Sequence, residues 1–149
     1  MTATPGTQLR ALAARGGPLA VAGTINAYCG LLAQRAGFEA IYLSGAGVSD
    51  AQVAGCHLED QIPRKRCGHR AGKQLVSVAA ASDRIAAAVE GRTDATFVIM
   101  ARTDAYSVEG LEAAIARAQQ YGPAGADMIF AEAMQDLEEY RTFCSAIQV

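Results

Sequence analysis

Five short apolar runs, each bounded by turn or polar residues and separated by helical stretches, restrict this chain to a parallel β/α assembly. The candidate strands are Leu19–Thr24, Ala40–Ser44, Cys56–Glu59, Phe97–Ala101 and Met128–Ala131. Helices are expected at about Thr7–Arg15, Ala27–Ala36, Val78–Glu90, Val108–Tyr121 and Leu137–Ile147, with Ser77 and Ser107 as N-caps. Two helix-to-strand joints nearly repeat: Arg35-Ala-Gly-Phe-Glu-Ala-Ile-Tyr-Leu-Ser and Pro123-Ala-Gly-Ala-Asp-Met-Ile-Phe-Ala-Glu. Each puts glycine at the helix end, where a left-handed residue is wanted, and then enters an apolar strand.

One join breaks the rhythm. Ala40–Ser44 is followed by little more than Val48-Ser-Asp-Ala-Gln-Val-Ala-Gly before Cys56–Glu59, whereas a parallel crossover takes about a dozen residues or more, usually a helix. The chain also reaches Val149 where another strand is due, and a complete eight-unit barrel takes ~250 residues. The fold class expected is α/β: an incomplete (β/α) barrel of the TIM-barrel type, with about five strands, forming a single partial domain over residues 1–149.

Composition narrows the function. With 15 acidic against 13 basic side chains the net charge is -2, which gives no general attraction to nucleic acid or a membrane surface. The longest clean apolar stretch, Phe97–Ala101, falls far short of the ~18 residues of a membrane span. Four cysteines at positions 29, 56, 67 and 144 form no CxxC pair and fit a reducing cytoplasm. Arg10 and Arg15 precede the first acidic residue, Glu39, as in a transit peptide. The expected helix and strand over the same residues assign them to the fold instead.

Polar residues gather where strands end: Ser44, then Glu59 and Asp60, then Arg102, Thr103 and Asp104, then Glu132. In a β/α barrel these ends open on one face and would converge; otherwise they are ordinary polar strand ends. Just after Glu59, Arg64-Lys-Arg-Cys-Gly-His-Arg70 holds four cations, a thiol and an imidazole within seven residues. Positive neighbours favour a thiolate, which makes Cys67 the candidate reactive thiol. Gly68 permits close backbone approach, and His69 can exchange protons near neutral pH. Three other readings stay open: a nucleic-acid or localisation patch, a zinc site from Cys56, His57, Cys67 and His69 at an unusual spacing, or a solvated turn.

Glu59 and Asp60 are candidates for acid/base work or for a divalent cation. Strand alternation sends them to opposite sides, so at most one faces the site. Arg102 suits bidentate capture of a substrate carboxylate, or else an ion pair with Asp104. Glu132 stands in the same place on the next strand, as a substrate contact or as a carboxylate orienting Arg102 or a lysine.

Lys65-Arg-Cys-Gly-His resembles the K-[KR]-C-G-H signature of the isocitrate lyase and phosphoenolpyruvate mutase superfamily, in the form its lyases use. Gly23-Thr-Ile-Asn-Ala-Tyr, Arg35-Ala-Gly-Phe-Glu-Ala-Ile-Tyr-Leu-Ser-Gly, His57-Leu-Glu-Asp-Gln, Phe97-Val-Ile-Met-Ala-Arg-Thr-Asp-Ala and Ala124-Gly-Ala-Asp-Met-Ile-Phe resemble the 2-methylisocitrate lyase family, so the likeness runs from about Pro5 to Val149. The resemblance implies a β/α barrel, a homotetramer, and Mg2+-dependent cleavage of 2-methylisocitrate to pyruvate and succinate, a step of propionate catabolism. It makes Ser44, Gly45 and Ala46 a carboxylate-binding stretch. Cys67 becomes the thiol that exchanges a proton with the succinate-derived carbon, with His69 beside it in the acid/base apparatus. Gly68, Arg102 and Glu132 become substrate contacts, and Glu59 a carboxylate close to the metal.

Departures from the family matter as much. About fifty residues, two units of ~30, are missing after Val48, and with them the aspartate pair that holds magnesium in the family. Ala46 stands where glycine is usual, and Gly122-Pro123 closes a helix that the family continues. The expectation is therefore lyase ancestry with little lyase activity. The alternatives are a non-catalytic barrel remnant serving as a binding or interaction module, or a related isocitrate lyase or oxaloacetate decarboxylase.

Overall fold

A computed structural model describes residues 3–24, 27–43 and 53–149. The described elements run α1 (Pro5–Ala13), β1 (Val21–Thr24), α2 (Ala27–Arg35), β2 (Ala40–Leu43), β3 (Gly55–Glu59), α3 (Val78–Gly91), β4 (Val98–Thr103), α4 (Tyr106–Glu109), α5 (Leu111–Tyr121), β5 (Met128–Ala131) and α6 (Leu137–Ala146). This is an α/β fold with parallel sheets and flanking helices. The chain divides into two compact units, Met1–Ala54 and Gly55–Val149.

In the first unit β1 and β2 pair in parallel from Val21↔Ala40 to Thr24↔Leu43. Thr4 caps α1 by accepting from the Thr7 amide, and Arg15 reaches Glu39 with Nη1 2.8 Å from Oε1. The short join that no crossover could fill falls in residues 44–52, outside the described residues, as do Ser44, Gly45 and Ala46.

The second unit holds a three-stranded parallel sheet in the order β3-β4-β5. Its central strand, β4, is buried at Val98, Ile99, Ala101 and Thr103, as expected of a strand covered on both faces. Helix α3 lays Ala81 and Ile85 against Ile99, Ala101, Tyr121 and Ala126, one turn apart on one face. Helix α5 buries Ala114, Ile115, Ala118 and Tyr121; its alanines let the helix approach the sheet closely. Ser77 caps α3, its hydroxyl accepting from the Ala80 amide at 3.2 Å.

The expected single helix Val108–Tyr121 is instead two. Gly110, with φ 89°, breaks it into α4 and α5, and Ser107 lies inside α4, where its hydroxyl donates to the Asp104 carbonyl at 3.3 Å. It caps nothing, because the turn after β4 begins the helix two residues earlier, with Ala105 at the cap position. The repeated helix-to-strand joints carry left-handed glycines, Gly37 at φ 89° and Gly125 at φ 100°. Helix α5 ends at Tyr121, so Pro123 falls beyond it and costs no helical hydrogen bond. Because the register pairs Glu59 with Arg102 and Thr103 with Ala131, the carboxyl ends of all three strands finish level along one edge.

Candidate active site

That edge carries the charged cluster. Arg102 sits at its centre, its Nε and Nη2 donating to the two carboxylate oxygens of Asp104 at 3.1 and 3.0 Å. Its Nη1 lies 3.1 Å from Glu132 Oε2 and 3.9 Å from Glu59 Oε1, and the guanidinium stacks 5.3 Å from the Phe130 ring centroid. Burial works against the Arg102 charge, but Asp104, Glu132 and Glu59 outweigh it and raise its pKa above the ordinary guanidinium value. Burial likewise works against the Asp104 charge. Hydrogen bonds from Arg102 and Gln61 and the charges of Arg102 and Lys73 prevail and lower its pKa.

Residues 61–75 form a loop over this edge, closed at its base by an antiparallel bridge between Gln61 and Leu75 and by Ile62 N–H to Gln74 carbonyl at 3.0 Å. Two buried polar side chains splint it from inside. Gln61 accepts from the Arg66 amide at 2.9 Å and donates to the Arg66 carbonyl at 3.0 Å. Lys73, its side chain 1% exposed, donates to the Gly68 carbonyl and lies 3.5 Å from Asp104 Oδ1. Outside, Lys65 Nζ meets Glu59 Oε1 at 3.0 Å, and His69 Nε2 stands 3.5 Å from Glu132 Oε1.

Gly68 is where the loop touches the cluster. A Cβ built there would overlap the Glu132 carboxylate and lie 2.6 Å from Arg102 Nη2, so no larger residue fits without displacing the ion pair. Cys67 and His69 flank it and are exposed, and the turn is closed by Arg70 N–H to the Cys67 carbonyl at 2.9 Å. Directly after Glu132, Ala133 takes a left-handed φ of 60°, a conformation that costs about 1–2 kcal/mol in a residue with a Cβ and turns the chain sharply away from the site.

Of the residues singled out in the sequence, Glu59, Cys67, Gly68, His69, Arg102 and Glu132 thus lie in or around one cluster. Asp60 turns the other way and is buried. Its carboxylate accepts from Thr103 Oγ1 at 2.7 Å, the Asp104 amide at 2.9 Å and Tyr121 OH at 2.9 Å, with Arg117 Nη1 3.8 Å away. Glu109 grips Arg117 with two hydrogen bonds at 2.8 and 2.9 Å. Burial, then the Asp60 charge, push the Tyr121 phenol above its ordinary pKa, which keeps it a hydrogen-bond donor. Gln61, which the sequence marks only as the end of the His57-Leu-Glu-Asp-Gln run, and Lys73 brace the loop, a part the sequence did not assign to either. Lys73 lies outside the KRCGH run, and only its burial marks it.

A magnesium ion asks for several oxygen ligands in near-octahedral geometry. Here Glu59 is engaged by Lys65 and Gln61, Asp104 by Arg102 and Lys73, and Glu132 by Arg102. Among the described residues no three His, Cys, Asp or Glu side chains are grouped to hold a metal. The described residues do not fit the ion.

Residues 47–149 match the phosphoenolpyruvate phosphomutase family. The chain belongs to that family. A 2-methylisocitrate lyase of Shewanella oneidensis is 41% identical, the match taking in 99% of this chain and 69% of the relative. That alignment spans 202 positions against 149 residues here, so roughly fifty positions of the relative have no counterpart in this chain. The lineage is that of a carbon–carbon lyase. A solved 2,3-dimethylmalate lyase of the phosphoenolpyruvate mutase and isocitrate lyase superfamily superposes with a TM-score of 0.87 at 27% identity, over 99% of this chain and 68% of that one. A phosphonopyruvate hydrolase solved with oxalate and Mg++ shares the fold, with a TM-score of 0.78 at 22% identity over 96% of this chain and 68% of its own.

Proposed function

We propose that this site is built for a 2-methylisocitrate-type carbon–carbon cleavage to pyruvate and succinate, and that this chain keeps its carboxylate-binding and proton-handling parts. The observation that carries the reading is the seating of Gly68 on the Arg102–Glu132 pair. It brings the thiol of Cys67 and the imidazole of His69 to the rim of a buried arginine. Arg102 receives a substrate carboxylate. As the bond breaks, the substrate hydroxyl gives its proton to His69 and becomes the pyruvate carbonyl, and the electron pair moves to the succinate-derived carbon. That carbon takes a proton from Cys67, with His69 able to return one. No step is routed through a metal.

In this proposal residues 1–149 form one partial barrel domain of the TIM type, with Ser44, Gly45 and Ala46 in its carboxylate-binding stretch. The partners are small carboxylic acids and further copies of the chain; Tyr28, Ile41 and Tyr42 are exposed apolar surface in the first unit, which favours association. Among the described residues no helix is long and apolar enough to cross a membrane, and the exposed thiols Cys56, Cys67 and Cys144 suit the reducing cytoplasm.

Alkylation of Cys67 by iodoacetamide, followed by mass spectrometry, tests the site. Succinate is expected to slow it in the wild type and to have no effect in Arg102→Ala; equal rates with and without succinate in the wild type would refute the assignment. Turnover is expected to be slight, since electrophilic stabilisation by a metal supplies several kcal/mol and each ~1.4 kcal/mol is tenfold in rate. Pyruvate release from 2-methylisocitrate within about tenfold of full-length relatives would contradict that.

A further inference from the structure

A guanidinium offers two edges on which a carboxylate can sit with two parallel hydrogen bonds. On Arg102 the side edge, Nε with Nη2, is filled by Asp104 at 3.1 and 3.0 Å. Asp104 is itself immobilised, its side chain fully buried, its amide held by Asp60 and its carboxylate by Lys73. Only the end edge, Nη1 with Nη2, is left for a ligand. Glu132 Oε2 stands on it, 3.1 Å from Nη1, and both side chains are about nine-tenths buried. The Gly68 backbone covers the pair so closely that not even a methyl group fits between.

We infer that Glu132 is a resident carboxylate occupying the seat that a ligand carboxylate must take, so that binding proceeds by exchange of one carboxylate for another. The inference rests on reading Arg102 as that seat. The displaced Glu132 has a second partner in place, since its Oε1 already lies 3.5 Å from His69 Nε2. Exchange therefore leaves Glu132 on His69 and requires the Gly68 backbone to shift off the pair, which ties ligand entry to the loop that carries Cys67. Glu59, though also acidic and near, stands 3.9 Å from Nη1 and is engaged by Lys65 at 3.0 Å, so it does not hold the seat.

A residue that contacts or merely supports the ligand weakens binding when it is changed; a resident competitor does the opposite. Calorimetric titration of the full chain with succinate tests the sign. Glu132→Gln keeps the shape and removes the charge, and is expected to bind succinate about tenfold more tightly than the wild type, with Glu59→Gln giving a clearly smaller change. Should Glu132→Gln fail to fold by circular dichroism, Glu132→Asp, which draws the carboxylate back by one methylene, is expected to tighten binding in the same direction. Unchanged or weaker binding in the folded variant overturns the inference alone if Arg102→Ala abolishes succinate binding. Succinate binding to neither wild type nor variant overturns the seat, and the inference with it.

Discussion

Replacing Asp60 with alanine tests the frame beneath the site. The change strips one acceptor from three buried donors: the Thr103 hydroxyl at 2.7 Å, the Asp104 amide at 2.9 Å and the Tyr121 hydroxyl at 2.9 Å. A buried donor left without a partner costs about 1–3 kcal/mol. The three do not add in full, because both hydroxyls can turn, and Arg117 keeps Glu109 and the Val76 carbonyl. Loss of one partner from a buried charged network costs about 3–5 kcal/mol, and about 4 kcal/mol is expected here. With a urea dependence of about 2 kcal/mol per molar, the midpoint falls by about 2 M. The chain has no tryptophan, so far-UV circular dichroism is the signal to follow. Asp60→Asn, which keeps an acceptor for the Asp104 amide, is expected to lose about half as much, roughly 2 kcal/mol. A midpoint shift below about 0.5 M in Asp60→Ala would refute the claim that this carboxylate ties β3, β4 and α5 together.

Gly68→Ala should lower the urea midpoint by about 0.5–1.5 M, because its methyl displaces the buried Arg102–Glu132 pair or pulls the loop from Lys73. It should also abolish succinate protection of Cys67, since the new methyl enters the Arg102–Glu132 pair; retained protection would show that the loop does not rest on that pair. Stability should fall with acid in two stages. Burial, then the Arg102 charge, lower the His57 pKa from its ordinary 6.5, so the folded state resists a proton that the unfolded chain accepts, and stability declines as pH falls below about 6.5. Asp104, held below its ordinary 3.8, adds a second decline below about that pH by the same sign. His57→Phe should remove the first stage in urea melts between pH 7 and pH 5; an unchanged slope would contradict it.

Strand positions and strand-end chemistry were legible because both arise from local pattern. Apolar runs mark strands, and a parallel sheet with level ends gathers the polar residues that terminate them. Thus the convergence of Glu59, Arg102 and Glu132 follows from the strand pattern alone. The split of Val108–Tyr121 was not legible, since Gly110 inside a periodic helix pattern is compatible with a helix at a cost of about 1 kcal/mol. Lys73 escaped for a different reason. A lysine is ordinarily a surface residue, and only tertiary packing places this one between the Gly68 carbonyl and Asp104. The inward turn of one carboxylate at Glu59-Asp60 is a consequence of strand alternation, but its partners, Tyr121 and Thr103, come from elements far along the chain.

The bridge between Gln61 and Leu75 gives the KRCGH loop both its ends within a single short span. Among the described residues, those shown to shape the loop, from Gln61 and Lys73 inside it to Arg102, Glu132 and the Asp60 frame beneath it, come from the unbroken stretch Gly55–Val149. The loop is thereby a cassette. Among the described residues, the contacts that give the cassette its form all lie within that stretch. A chain of this lineage can therefore inherit the shape of its signature from one continuous stretch of sequence.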